Sequence, residues 1–357
     1  MRRGLMGWDP AELPKRMLDG RVARLQAAMK RNNLDSFLLY TNLVRPSAVC
    51  WLTGFTPYWI ESILLVPAGG APILATALSK RVSDWIRATS QVHEIINTPK
   101  PGVVIGQRLA SDGAKRVGVL ERDALPAGLY DDVMAAAPDA ELIDATALFA
   151  AERRSIDDAE RKLIERAYAL AMAALDQVDI ATVKDAGALA GIVERHARLG
   201  GAEECFIAIA PYLAADRRLI RISKPVPLAE RFGVRASIAY KGNWVRRTRT
   251  FATDDTGRRA ITRADAWLDE AVRCFKADKP LGSQIITRLK DLRGAELKSW
   301  MAESCVGSYP LEVIASSATS DKGAPDGSFL VLSLDLTVNG VPWIGAAPAF
   351  VGGGNTV

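Results

Sequence analysis

Phe232-Gly-Val-Arg-Ala-Ser-Ile-Ala-Tyr-Lys-Gly-Asn-Trp-Val-Arg-Arg-Thr-Arg-Thr-Phe251 is the stretch that decides the fold. Two β-rich runs flank Lys241-Gly242, which predicts a hairpin with those two residues as its turn. Tyr240 then faces Asn243, and side chains alternate outward from that pair. Arg235, Ser237 and Ala239 fall on one face with Trp244, Arg246 and Thr248. Arg235 and Arg246 become diagonal neighbours within side-chain reach. Like charges so placed repel, so a negative group is expected between them.

The second half of the hairpin, Gly242-Asn-Trp-Val-Arg246-Arg-Thr248-Arg249-Thr250-Phe251, resembles the G-Y-x-x-D-x-T-R-T-F stretch of the creatinase, aminopeptidase P and prolidase superfamily, the pita-bread fold. In the metal-dependent members, two aspartates eleven residues apart bind a pair of divalent metals. The matching positions here are Arg235 and Arg246, also eleven apart. The family's histidine turn is best matched by Val306-Gly307-Ser308-Tyr309-Pro310, with Ser308 in the histidine's place. Its next ligand, a glutamate, is best matched by Asp335 in Gly327-Ser-Phe-Leu-Val-Leu-Ser-Leu-Asp335, offset by about two residues. The last glutamate falls on Ala346 or Ala347, ahead of Phe350-Val351. Hard divalent ions need several oxygen ligands, and catalytic zinc needs at least three protein ligands. The resemblance therefore implies the fold without its dinuclear centre. No metal and no cofactor is expected, and hydroxide generation at a metal is excluded with them.

The 357 residues suit about two domains, and 49% of them are apolar, ample for sizeable cores. Nothing is low-complexity. No run approaches the roughly twenty apolar residues that span a membrane, and Met1 to Pro10 lacks the apolar core of a secretory signal. Cys50, Cys205, Cys274 and Cys305 are far apart and lack C-x-x-C spacing, as expected of reduced thiols in a cytoplasmic chain. The net charge of +5 is too small and scattered to argue for nucleic acid.

An α/β fold class follows, with a creatinase-like N-terminal α/β domain over residues 1–150 and a pita-bread domain over 151–357. In the first, Gly20–Asn32 is an amphipathic helix with Val22, Leu25 and Met29 on one stripe. Strands are expected at 35–40, 60–67 and 116–121, with 71–75 pairing across Gly69-Gly70 and a helix at 77–87. Ser47-Ala-Val-Cys-Trp-Leu-Thr-Gly-Phe55 resembles the family's N-x-x-Y-L-T-G-F segment, and the alternation predicts a mostly parallel sheet. The second domain opens on a helix capped by Ser155 or Asp157, with Asp158 and Glu160 in its first turn, running to about Val178. Further helices are expected at 185–199, ended by Gly200-Gly201, and at 265–275 and 282–292.

The remade cleft would be lined by Arg235, Arg246 and Arg249, with Trp244 on the same face and Arg217 and Arg218 from the loop at 211–221. The chain has only His93 and His196, and neither falls where a creatinase-type histidine base would be. Glu203, Glu204, Asp216 and Glu312 are the candidate bases, and Cys205 or Cys305 the candidate nucleophile. A thiol beside guanidiniums would have a depressed pKa. The alternative role for the charges is an ion-pair network of Arg235, Asp335 and Arg246, guanidinium standing in for metal.

Three functions fit these residues. One is a metal-independent hydrolase acting on a small anionic C–N-bonded substrate, for which metal-free creatinase and ectoine hydrolase are the precedent the resemblance supplies. The second is a non-catalytic descendant binding a small anion. The third is a protein-binding module, similar to the histone-chaperone member of this fold. An Xaa-Pro peptidase is disfavoured by the missing ligands, and a homodimer is what the resemblance implies.

Overall fold

The computed structural model describes residues 8–57, 60–222, 224–304, 312–318 and 321–352, with 312 and 313 described as backbone only. Two compact units divide between Arg153 and Arg154.

The first unit runs α1 (Lys15–Arg31), β1 (Ser36–Thr41), α2 (Ser47–Thr53), β2 (Ser62–Pro67), β3 (Ile73–Thr76), α3 (Ser83–Thr89), β4 (Glu94–Asn97), α4 (Pro101–Ser111), β5 (Arg116–Val119), α5 (Ala127–Ala136), β6 (Glu141–Asp144) and α6 (Thr146–Arg154), the last helix carrying the chain to the boundary. Helix α1 starts five residues before the sequence stripe suggests, because Leu18 already faces the core and Pro14 can precede a helix but not continue one. The six strands lie in the order β4-β3-β2-β1-β5-β6. Three of the five ladders are parallel, and the expected pairing of 71–75 with 60–67 across Gly69-Gly70 forms between β2 and β3. β3–β4, β1–β5 and β5–β6 are parallel, whereas β1–β2 and β2–β3 are antiparallel. The short link through Gly69-Gly70 can only return the chain antiparallel. Alternate residues feed two cores. Phe37, Leu39, Leu64 and Leu74 pack with residues of α1, α2 and α3, while Leu38, Ile63, Leu65 and Val117 pack with residues of α4 and α5. The unit is therefore a three-layer α/β sandwich.

The second unit opens with α7 (Asp158–Leu175) and α8 (Ala186–Leu199). Asp157 caps α7 by accepting from the Glu160 N–H at 2.8 Å, and Asp185 caps α8 by accepting from the Ala188 N–H at 2.9 Å. Then follow β7 (Glu204–Ala210), β8 (Arg231–Tyr240), β9 (Asn243–Ala252), α9 (Asp255–Ala271), α10 (Leu281–Leu289), β10 (Ala295–Ser304), β11 (Glu312–Ser316), β12 (Phe329–Val338) and β13 (Val341–Phe350). Helix α9 begins ten residues before its expected start. Thr253-Asp-Asp-Thr-Gly looks like a turn, but Asp254 is the N-cap and accepts from the Gly257 N–H at 2.8 Å. The strands form one sheet in the order β11-β10-β12-β13-β9-β8-β7.

The hairpin forms as its alternation requires. Tyr240 pairs with Asn243, and Lys241 (φ 46°) and Gly242 (φ 75°) make the two-residue left-handed turn. Val234, Ala236, Ile238 and Val245 pack with α7 and α8. Leu332, Leu334, Leu336, Trp343 and Ala347 pack with α9 and α10. By register these residues share one face, which leaves Arg235, Ser237, Thr248 and Arg246 on the other.

Candidate functional site

The register sorts this second face into rows. Between β9 and β13 it crosses one ladder pair, Thr248 with Ala346. Next to that pair, the Thr250 hydroxyl donates to the Ile344 carbonyl at 2.8 Å and accepts from the Ile344 N–H at 2.9 Å. One row holds Ala208, Arg235, Thr248, Ala346, Ser333 and Met301. The adjacent row holds Phe206, Ser237, Arg246, Val331 and Glu303. Arg235 and Arg246 therefore sit in neighbouring rows of neighbouring strands, as the hairpin alone requires.

The acid that answers Arg246 is Glu303, which sequence reasoning missed. Arg246 Nη1 donates to Glu303 Oε2, and the two side chains are only 9% and 10% exposed. The available signal was a lone glutamate in the largely apolar run Trp300-Met-Ala-Glu303.

Asp335 corrects the expected Arg235–Asp335–Arg246 network. It lies one row beyond Ser333, beside Ile344, and its Oδ1 accepts from Arg217 Nη1. Arg217 also donates to the Leu336 carbonyl and, through Nη2, to Thr337 Oγ1, both at 3.1 Å. The loop after β7 carries Arg217 there. Leu213 is buried with Ala210 and Ile344, and its N–H donates to the Arg231 carbonyl at 3.1 Å. Gly233 lies beneath this plug, and a Cβ there would meet Ile344 Cδ1 at 2.5 Å, so the Ile344 side chain would have to turn aside.

Several other expected site residues lie elsewhere. Arg218 corrects to a local partner: it is solvent-exposed and binds Asp216 at 2.6–3.0 Å. Those hydrogen bonds bring the Asp216 carboxyl down to about 2. Arg249 corrects to the helix side of β9, because alternate residues point opposite ways; it meets Asp176 at 2.6 Å. Its neighbour two residues before, Arg247, is almost wholly buried there against Asp269 at 2.6 Å. Cys205 also faces the helices, in the α7–α8 core, and burial pushes its thiol up to about 12, the reverse of activation. Glu203 lies at the hairpin tip, where its Oε2 accepts from the Gly242 N–H at 3.2 Å. Burial raises its carboxyl to about 7. Glu204 does share the arginine face, buried in the row of Ala239 and Trp244. Cys305, the Val306–Pro310 turn and the Glu312 side chain lie outside the described residues. Both histidines are exposed.

Residues 21–155 match the model of the Creatinase/Prolidase N-terminal domain family. The first unit therefore carries a creatinase/prolidase-type N-terminal domain. Solved structures share the fold over nearly the whole chain. An X-Pro aminopeptidase from Thermotoga maritima is 15% identical, with a TM-score of 0.71 over 92% of this chain and 96% of that one. An Xaa-Pro dipeptidase from Bacillus anthracis is 16% identical, with a TM-score of 0.71 over 94% and 99%. The N-terminal domain of the FACT complex subunit SPT16 from Cicer arietinum is 13% identical, with a TM-score of 0.63 over 94% of each chain. No curated protein matches the chain.

A superfamily metal pair does not fit the described side chains of this face. Arg235 and Arg246 are cations, and Ala208, Thr248, Ala346, Ser333 and Met301, the other members of the Arg235 row, carry no acid. Glu303 and Asp335 are each engaged by a guanidinium. Among the described residues, no three His, Cys, Asp or Glu side chains gather as a metal site would need. None of the described helices is long and apolar enough to cross a membrane.

Proposed function

We propose that this chain is a metal-independent member of the superfamily that binds a small carboxylate-bearing molecule on the Arg235–Arg246 face. The observation that carries this reading is the placement of two guanidiniums in adjacent rows of one sheet face, with the Ser237 and Thr248 hydroxyls between them. A planar guanidinium carries five N–H donors, so one arginine can hold a protein acid and a ligand carboxylate together. Binding is favoured over C–N hydrolysis by the lack of a thiol nucleophile among the described residues of this face. The Cys205 thiol is on the opposite face, and Glu303 and Asp335 are each held by a guanidinium. Glu204, which does share the face, lies one row beyond Ser237 and Arg246. Peptidase activity belongs to the relatives named for it.

Elemental analysis of the purified protein, joined to a thermal-shift screen of carboxylates, phosphate and guanidino compounds, tests the proposal. Bound metal well below one equivalent is expected, with a melting temperature that chelators leave unchanged. Carboxylates should raise the melting temperature of the wild type, and Arg235→Gln should lose that response. Stoichiometric metal, or indifference to every carboxylate, would overturn it.

A further inference from the structure

Phe206 sits on the edge strand β7 in the row of Ser237 and Arg246, and it is 42% exposed although its strand neighbours are buried. Its ring stacks on Trp244, with centroids 5.4 Å apart and planes 14° from parallel. Trp244 is only 6% exposed, so the indole forms a fixed floor under a partly open phenyl ring. Exposing a phenyl ring forfeits burial energy unless something else covers it.

Resting on the carboxylate-binding reading, we propose that this aromatic pair is the second half of the same site and that its ligand is an arylalkyl carboxylate. Adjacent strands are spaced at about 4.8 Å, which puts the backbone of Phe206 about 10 Å from that of Arg246. A ring stacked on Phe206 can therefore extend a short alkyl chain over Ser237, where side chains of Arg235 and Arg246 reach its carboxylate. The anion is singly charged because Glu303 and Glu204 share this face. A phosphate dianion would compete with the Glu303 carboxylate for Arg246 and lie near Glu204, and a carboxylate does so with half the charge.

Isothermal titration of 3-phenylpropionate, 3-cyclohexylpropionate and butanoate into the wild type, Phe206→Leu and Arg235→Gln tests this. Leucine keeps an apolar cover over Trp244 but cannot stack. In the wild type the phenyl acid should bind about threefold to tenfold more tightly than its cyclohexyl analogue. Phe206→Leu should abolish that preference and leave butanoate affinity unchanged, while Arg235→Gln weakens all three acids. If butanoate binds through Arg235 but the aryl preference is missing, or survives in Phe206→Leu, the aromatic half of the site is overturned and the carboxylate reading stands. Failure of all three acids to bind would overturn both.

Discussion

Arg246 on β9 and Glu303 on β10 meet across two intervening strands, β13 and β12. Only long side chains laid over the sheet can close that distance, and both are about nine-tenths buried. Removing one partner leaves a charge with no solvent to screen it. Arg246→Met or Glu303→Leu alone should each cost about 3–5 kcal/mol. The double variant should recover most of that loss, because it leaves no orphaned charge. A double-mutant cycle by urea denaturation measures the coupling. Additive losses, each under about 1 kcal/mol, would mean the pair behaves as a surface ion pair.

Cys205 should be inert in the folded protein. Its thiol faces the α7–α8 core and burial has raised it to about 12, so little thiolate exists at pH 8. Mass spectrometry after iodoacetamide treatment should find it unmodified in the native state and alkylated in urea. Cys205→Ser should lower stability by about 1–3 kcal/mol by burying a hydroxyl among apolar side chains. Native labelling at Cys205 would restore it as a nucleophile candidate.

The hairpin was legible because period-two alternation and a Lys-Gly turn are local signals, and they placed Arg235, Ser237, Trp244 and Arg246 together correctly. The same rule also assigns Arg249 to the opposite face, and including it in the cleft set alternation aside. Glu303 was out of reach because it meets Arg246 through strand order, and that order is not written in the alternation of either strand. Asp335 shows the same limit. Its two-residue offset from the motif looks small along the chain, yet in a sheet it moves the carboxylate a full row, to Arg217. In the first unit, helix and strand positions followed from apolar periodicity and the β2–β3 hairpin from Gly69-Gly70, whereas the antiparallel β1–β2 pairing depended on a connection that neither signal reports.

Gly106→Ala should destabilise the first unit. Helices α4 and α5 approach so closely that a Cβ on Gly106 would lie 2.6 Å from both the Val133 carbonyl oxygen and Ala136 Cβ. Neither is a flexible side-chain end, so a helix must shift. The gain in helix propensity from glycine to alanine, about 1 kcal/mol, works in the other direction. Overpacking at a rigid contact costs about 1–3 kcal/mol, so a net loss is expected. Alanine at the exposed Gly128, with open space around it, should instead be neutral or stabilising. Thermal denaturation of the two variants compares them, and equal melting temperatures would show that the α4–α5 contact yields.

Glu203 should make the hairpin tip sensitive to pH. Burial raises its carboxyl from 4.5 to about 7, against the opposing hydrogen bond from the Gly242 N–H. A carboxyl raised on folding holds its proton more tightly in the folded state than in the unfolded one. Below about pH 4.5 both states are protonated and the site costs nothing. Between 4.5 and about 7 the unfolded chain ionises first, so stability falls as pH rises, and above 7 the loss is complete. Glu203→Gln keeps an oxygen to accept from the Gly242 N–H but cannot ionise. The variant should match the wild type near pH 4.5 and exceed it at pH 8, with the gap opening across that window. Melting temperatures at half-unit pH steps follow the gap directly. A gap that stays constant from pH 4.5 to 8 would mean that Glu203 ionises as it does in the unfolded chain and that its burial at the turn is not felt.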